Sequence, residues 1–196
     1  MAKTLLDMAG ADLTPARVAD AALVLIDLQN EYLAGPIAVS GAPAAVANAA
    51  RLLKAARDAR APIFHIAHKG RAGSLFDREA ERGQIVPALT PTADEPVVEK
   101  GMPNAFAGTD LRARLDAAGR KNLILCGFMT HMCVSSTARA ATDLGFRVTI
   151  DASSCGTRDL PDGKGGTVAA AILHEVSLAE LADRFAIIAR ATDEII

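Results

Sequence analysis

The sequence predicts a three-layer α/β/α domain, a parallel sheet of about six strands covered by helices on both faces. Two observations carry that reading. Short, nearly continuous apolar runs recur at wide intervals, and alanine- and leucine-rich stretches with helical spacing separate several of them. A strand with no polar side is buried on both faces, and in a parallel sheet the crossover helices provide the cover.

The elements follow in chain order. Ala21–Leu28 reads as the first strand and Ala42–Arg60 as a long helix, with Pro43 near its start, where a missing N–H is tolerated. Pro62–His68 is the second strand, Pro62 sitting at its edge. Lys69–Asp94, with Gly70, Gly73, Gly83, Pro87 and Pro91, reads as a long irregular segment, and Pro96–Glu99 as the third strand. A helix over Thr109–Ala118 leads to a fourth strand at Asn122–Gly127, and a helix over Met132–Leu144 to a fifth at Arg147–Asp151. Gly119 and Gly145 fall between helix and strand, where a left-handed cap is wanted. Ser153–Gly166 is a second irregular segment, followed by a helix over Thr167–Ala182 and a last strand at Phe185–Ala189. Long loops in such a domain usually carry function.

Composition narrows the class. A chain of 196 residues fits one domain, 1–196, large enough to fold on its own core without disulfides or metals. Three cysteines, an odd number, do not read as a secreted disulfide framework, and a reducing, cytoplasmic setting is expected. With 21 basic against 23 acidic residues there is no footprint for nucleic acid or an anionic membrane. Apolar runs of about 5–7 residues are far short of the roughly 20 a membrane span needs. Asp7 and Asp12 interrupt the stretch a signal peptide would keep apolar.

Ligands in an open parallel sheet bind outside the carboxyl ends of the strands, so polar residues at those ends are the candidates. The first strand ends in Asp27-Leu28-Gln29-Asn30, the second offers His65 and His68, the third ends at Glu99-Lys100, and the fourth runs into Gly127-Phe128-Met129-Thr130-His131-Met132-Cys133. Taken singly, Asp27 reads as well as a capping residue, Lys100 as a solvated charge and Cys133 as an inert core thiol. Together they bring an acid, a cation and a thiol to one edge of the sheet. A thiol of ordinary pKa about 8.5 is made reactive by a helix N-terminus and a neighbouring ammonium. A carboxylate can accept its proton and later deliver it to a leaving group, and the helix start offers N–H groups to an oxyanion. Acyl transfer is the reaction class this favours.

Three segments, Ala22–Asn30 with Asp27, Val98–Phe106 with Lys100, and Gly127–Val134 with Cys133, resemble the isochorismatase-like cysteine hydrolases, a family that includes nicotinamidases and N-carbamoylsarcosine amidases. The resemblance runs from about Ala21 to Ile188. It implies a triad in which Asp27 is general base and then acid, Lys100 orients Asp27 and favours the thiolate, and Cys133 forms an acyl-thioester. It also implies a cis peptide at Phe128–Met129, turning the N–H groups of Met129 and Cys133 toward the oxyanion, and a homo-oligomer, dimer or higher.

The chain departs from the nicotinamidase pattern, whose metal is held by an Asp-x-His element and a further histidine. Here the second strand reads Ile63-Phe64-His65-Ile66-Ala67-His68, and histidines three apart on a strand face opposite ways. No metal and no cofactor are expected. Isochorismate cleavage belongs to members of the family without the cysteine, so Cys133 favours a small amide or another carbon–nitrogen bond. Gln29, Asn30, His68, Phe76, Phe106, His131 and Met132 are candidate substrate-binding residues, Tyr32 a packing residue near the entrance, and Cys126 an inert core thiol. Cys155 is expected in the loop after the fifth strand. The alternative is a non-catalytic small-molecule-binding or assembly protein on the same fold.

Overall fold

In the computed structural model, which describes residues 2–196, the apolar runs become the strands of one sheet. A one-turn helix α1 (Leu5–Met8) precedes strand β1 (Ala21–Ile26), all of whose residues are buried. Helices α2 (Glu31–Ala34) and α3 (Ala42–Asp58) lead to β2 (Ile63–His68) and β3 (Val97–Lys100). Helix α4 (Leu111–Ala118), β4 (Asn122–Phe128), α5 (Ser135–Asp143) and β5 (Arg147–Gly156) follow. A short antiparallel pair, β6 (Leu160–Pro161) and β7 (Thr167–Val168), precedes α6 (Ala170–Arg184) and β8 (Ile187–Ala189).

The six main strands are all parallel and lie in the order β3-β2-β1-β4-β5-β8. Strand β1 is central, with β2 on one side and β4 on the other, so the winding of the sheet reverses between β1 and β4. That reversal opens a crevice at the carboxyl ends of those two strands. Helix α3 buries Ala45, Val46, Ala49, Leu52, Leu53 and Ala56, a stripe at three- and four-residue spacing. It packs along β5, β4, β1 and β2, while α5 and α6 pack on one another and on β5.

The fold class and the six strands are those the sequence predicts, and the boundaries differ most at the end of β5 and at the starts of α5 and α6. Strand β5 does not stop at Asp151. Its pairing with β4 shifts between Leu125 and Gly127 and then resumes as Gly127 opposite Cys155 and Phe128 opposite Gly156. The buried Asp151 carboxylate holds this irregularity together, accepting from Ser153 N (3.1 Å), Ser153 Oγ (2.7 Å), Ser154 Oγ (2.6 Å) and Thr192 Oγ1 (2.7 Å). Cys155 therefore lies in a strand and is buried, rather than in a loop. The expected loop after it contains the β6–β7 pair, which takes Thr167 and Val168 out of the predicted helix. The helix predicted from Met132 begins as a wider turn over Thr130–Val134 before α5 proper. The segment between β2 and β3 is irregular as predicted, with two short turns at Glu81–Gly83 and Pro87–Leu89.

One ion pair joins helix, strand and loop on the β3 side of the sheet. Glu95 accepts from Arg57 Nε (2.7 Å) and Nη2 (2.8 Å) on α3 and from the N–H of Thr92 (3.1 Å), and it lies 3.0 Å from His65 Nε2 on β2. The Arg57 bonds hold its carboxyl down at about 2. A carboxylate depressed in the folded state stabilises above its unfolded value near 4.5, and that contribution is lost as pH falls toward 2. Glu95→Gln should cost about 1–2 kcal/mol at pH 7, allowing for solvent screening. Urea titrations at stepped pH should show the wild-type advantage shrinking below pH 4.5 as Glu95 protonates.

Candidate active site

The register of the sheet places three functional groups at its carboxyl edge. Ile26 pairs with Ile66 on one side and Gly127 on the other, and His68 pairs with Lys100, so Asp27, Lys100 and the turn after Phe128 end neighbouring strands. Asp27 leaves β1 with φ of 50°, a left-handed conformation that turns its side chain out of the strand path. Gly127 is required beside it: at φ of 123°, a Cβ there would lie 2.0 Å from the carbonyl oxygen of Ile26. The Phe128–Met129 peptide is cis, and Cys133 follows in the turn that starts α5.

Lys100 Nζ connects the site. It donates to Asp27 Oδ2 at 2.6 Å, and lies 3.4 Å from Cys133 Sγ and 3.3 Å from His68 Nδ1. An ammonium has three N–H bonds, and here each meets one acceptor. His68 Nδ1 must then be unprotonated. Burial followed by the charge of Lys100 keeps that imidazole neutral by lowering its pKa. Asp27 is 0% exposed, and its Oδ1 is buried without a partner.

Lys100 draws the Cys133 thiol down, but burial first and then the negative charge of Asp27 outweigh the ammonium, and the thiol is pushed up to about 12. Burial likewise raises Asp27 above its ordinary 3.8, with Lys100 opposing. The resting site is an Asp27–Lys100 ion pair beside a protonated thiol. That state is neutral overall, and it is the cheapest in a site closed to water.

The other predicted residues divide. Phe76 closes over the site, its ring 4.9 Å from that of His68 and 5.2 Å from that of Tyr32, and Tyr32 in turn lies 5.5 Å from Phe128. His131 Nδ1 lies 2.6 Å from Thr157 Oγ1, and Met132 is partly exposed. Gln29 is occupied by the fold: its amide nitrogen donates to the carbonyls of His68 (3.0 Å) and Gly83 (2.7 Å), and its oxygen accepts from His68 N–H (2.8 Å). Asn30 similarly donates to the carbonyl of Glu81 at 2.9 Å. Both amides clamp the irregular segment between β2 and β3 onto the strand ends. Phe106 stacks on Phe146, 6.2 Å away beside the start of β5, while Asp27, Lys100 and Cys133 lie at the carboxyl edge. His65 is directed to Glu95, away from His68.

Sequence reasoning missed the support of the turn that carries Cys133. Thr130 Oγ1 donates to the carbonyl of Gly156 at 3.0 Å, so the 2.9 Å contact with His174 Nδ1 on α6 is one in which the imidazole donates. Thr130 stood in the segment that carries Cys133. Nothing near His174 marked it, because the contact spans 44 positions.

A covered parallel sheet with these groups at its switch point defines an α/β protein of the hydrolase class. The family model "Isochorismatase domain" matches residues 21–193, and the chain belongs to the isochorismatase family. A secreted isochorismatase effector of Verticillium dahliae is 38% identical over 95% of this chain and 96% of its own. A streptothricin hydrolase of Streptomyces noursei is 34% identical over 87% of this chain and 62% of its own. Among solved structures, an isochorismatase of Pseudomonas putida KT2440 is 44% identical, superimposes with a TM-score of 0.96, and covers 100% of both chains.

The buried ion pair generates a prediction. Lys100→Ala leaves the Asp27 carboxylate buried and uncompensated, and should cost about 3–5 kcal/mol at pH 7. Without Lys100 the carboxyl is raised further, so the folded variant takes up a proton as pH falls. Its deficit against wild type, measured by urea unfolding, should therefore shrink at acid pH and be largely relieved by adding Asp27→Asn.

Proposed function

We propose that the protein is a metal-independent cysteine hydrolase of a small amide or other carbon–nitrogen bond substrate, acting through Asp27, Lys100 and Cys133. The observation that carries this reading is Lys100 Nζ joining Asp27 Oδ2 at 2.6 Å to Cys133 Sγ at 3.4 Å in a buried site. The thiol proton passes to the unpartnered Asp27 Oδ1 as Sγ attacks the carbonyl carbon. The oxyanion faces the N–H groups of Met129 and Cys133, in the first turn of the helix, where N–H groups lack intrahelical acceptors. Collapse breaks the carbon–nitrogen bond, and Asp27 gives its proton to the leaving nitrogen. A water then gives a proton to Asp27 and attacks the thioester; the acid product leaves, and that proton returns to sulfur.

Lys100 offsets negative charge wherever it sits, on Asp27 or on sulfur. The thiol supplies the nucleophile that a metal-bound water would otherwise provide. Relatives named as a streptothricin hydrolase and as a nicotinamidase of Arabidopsis thaliana support the carbon–nitrogen class. The reading includes a homo-oligomer, supported by Ile172 and Val176, one turn apart and exposed on α6. It also includes a cytoplasmic setting, supported by three free cysteines. No helix among the described residues is long and apolar enough to cross a membrane.

A panel of amides and ureides, followed by intact mass, should reveal an acyl adduct on Cys133. Cys133→Ala should lose turnover while keeping its unfolding midpoint close to wild type. Activity needs Asp27 ionised, and burial raises its pKa, so kcat/KM should fall on the acid side through a midpoint above 3.8. A midpoint at or below 3.8 would remove Asp27 as the base.

A further inference from the structure

The turn that carries Cys133 is built as one piece. The Met129 carbonyl accepts from the N–H groups of Met132 (3.0 Å) and Val134 (3.2 Å), the residues on either side of Cys133. The backbones of Met129 and Cys133 therefore move together, and whatever holds the turn to the rest of the protein sets both. Two side chains of the turn make that connection. His131 Nδ1 lies 2.6 Å from Thr157 Oγ1. The buried Thr130 donates its hydroxyl proton to the carbonyl of Gly156 at 3.0 Å, where β5 ends opposite Phe128.

A hydroxyl has one proton to give, so with that proton on Gly156 the Thr130 oxygen accepts from His174 Nδ1, 2.9 Å away on α6. The two bonds together fix the direction of the Thr130 side chain; without the histidine a buried oxygen loses its donor. An Nδ1–H is present in the neutral and the protonated ring alike, so His174 serves as a fixed donor rather than as a proton carrier. Nor is the ring there to fill the core. It is only partly buried and borders a cavity of about 240 Å³ lined also by Ser40, Ala45, Cys155 and Thr157. What His174 gives the turn is one directed hydrogen bond.

We propose that His174 is a positioning residue for the reaction at Cys133, its bond to Thr130 setting the N–H groups of Met129 and Cys133 where the oxyanion forms. The proposal rests on the reading of Cys133 as the nucleophile. Donors aimed at an oxyanion act only in position, and a displacement of about 1 Å transmitted from outside the site can cost about a hundredfold in rate. Thr130 stands one residue after Met129 and three before Cys133, so a rotation of its backbone turns both N–H groups at once. A reaction of the same sulfur that forms no oxyanion is spared.

Two reagents on the full chain separate these cases. With p-nitrophenyl acetate, Sγ attacks the carbonyl carbon through an oxyanion, the thiol proton passes to Asp27, the ester C–O bond breaks as p-nitrophenolate leaves, and an acetyl thioester remains. With iodoacetamide, the S–C bond forms as C–I breaks, iodide and the thiol proton leave, and no oxyanion develops. Both rates at Cys133 are followed by peptide mass, and the acylation-to-alkylation ratio is compared among variants. His174→Ala should lower the ratio roughly tenfold, with alkylation within about twofold of wild type. His174→Asn should restore it to within about threefold, because the Asn Nδ2–H stands as many bonds from the backbone as the His Nδ1–H, whereas His174→Gln should not. In a Thr130→Val background, His174→Ala should lower the ratio no further. An unchanged ratio in His174→Ala, or rescue by Gln equal to that by Asn, overturns the proposal and leaves the nucleophile standing; if His174→Ala does not fold, the Asn and Gln variants decide. Wild-type Cys133 that is alkylated but never acylated overturns the oxyanion site and this proposal. Labelling of Cys126 or Cys155 with Cys133 inert to both reagents overturns the nucleophile, and this proposal with it.

Discussion

A single buried ammonium organises the carboxyl edge of this sheet. Lys100 Nζ meets a carboxylate, an imidazole nitrogen and a thiol with its three N–H bonds, so it fixes the position of Asp27, the tautomer of His68 and the setting of Cys133 at once. Such a group is expensive to remove from water, and one partner would hardly offset the cost. Three acceptors from three different strand ends do so together. Each depends on the registers that bring β1, β2, β3 and β4 side by side, and the carboxyl end of the sheet is organised around keeping those registers.

Several devices at that edge serve this purpose. Gly127 lets β4 approach β1 where any side chain would strike the carbonyl of Ile26. Gln29 spends its amide on the backbone of His68 and Gly83, locking the strand that carries His68 to the irregular segment beyond it. Thr130 bonds to Gly156 and is itself held by His174, so the turn that carries Cys133 is tied to β5 and α6. Asp151 gathers four donors at the point where β5 loses and regains its pairing.

Much of this was legible before any coordinates. Strands with no polar side announce a doubly covered parallel sheet, and Asp27, Lys100 and Cys133 stand out because they fall at strand ends or, for Cys133, in the turn that follows one. What could not be read depends on contacts distant in sequence. Ser153-Ser154-Cys155 has the composition of a loop, and only the donors it gives to Asp151 make it strand. Gln29 and Asn30 looked like free amides because the carbonyls they bind lie in an irregular segment. The protonation of Cys133 was not legible for a related reason: the adjacent ammonium favours the thiolate, but burial and Asp27 together weigh more, and burial is a property of the whole fold.

The raised thiol has a consequence for durability. Oxidants attack thiolate sulfur that solvent can reach, and Cys133 is both protonated at rest and 2% exposed. In the proposed mechanism its nucleophilicity is released only when a bound carbonyl draws the proton over to Asp27. A cysteine kept in this way is guarded by the fold itself rather than by the redox state of its surroundings.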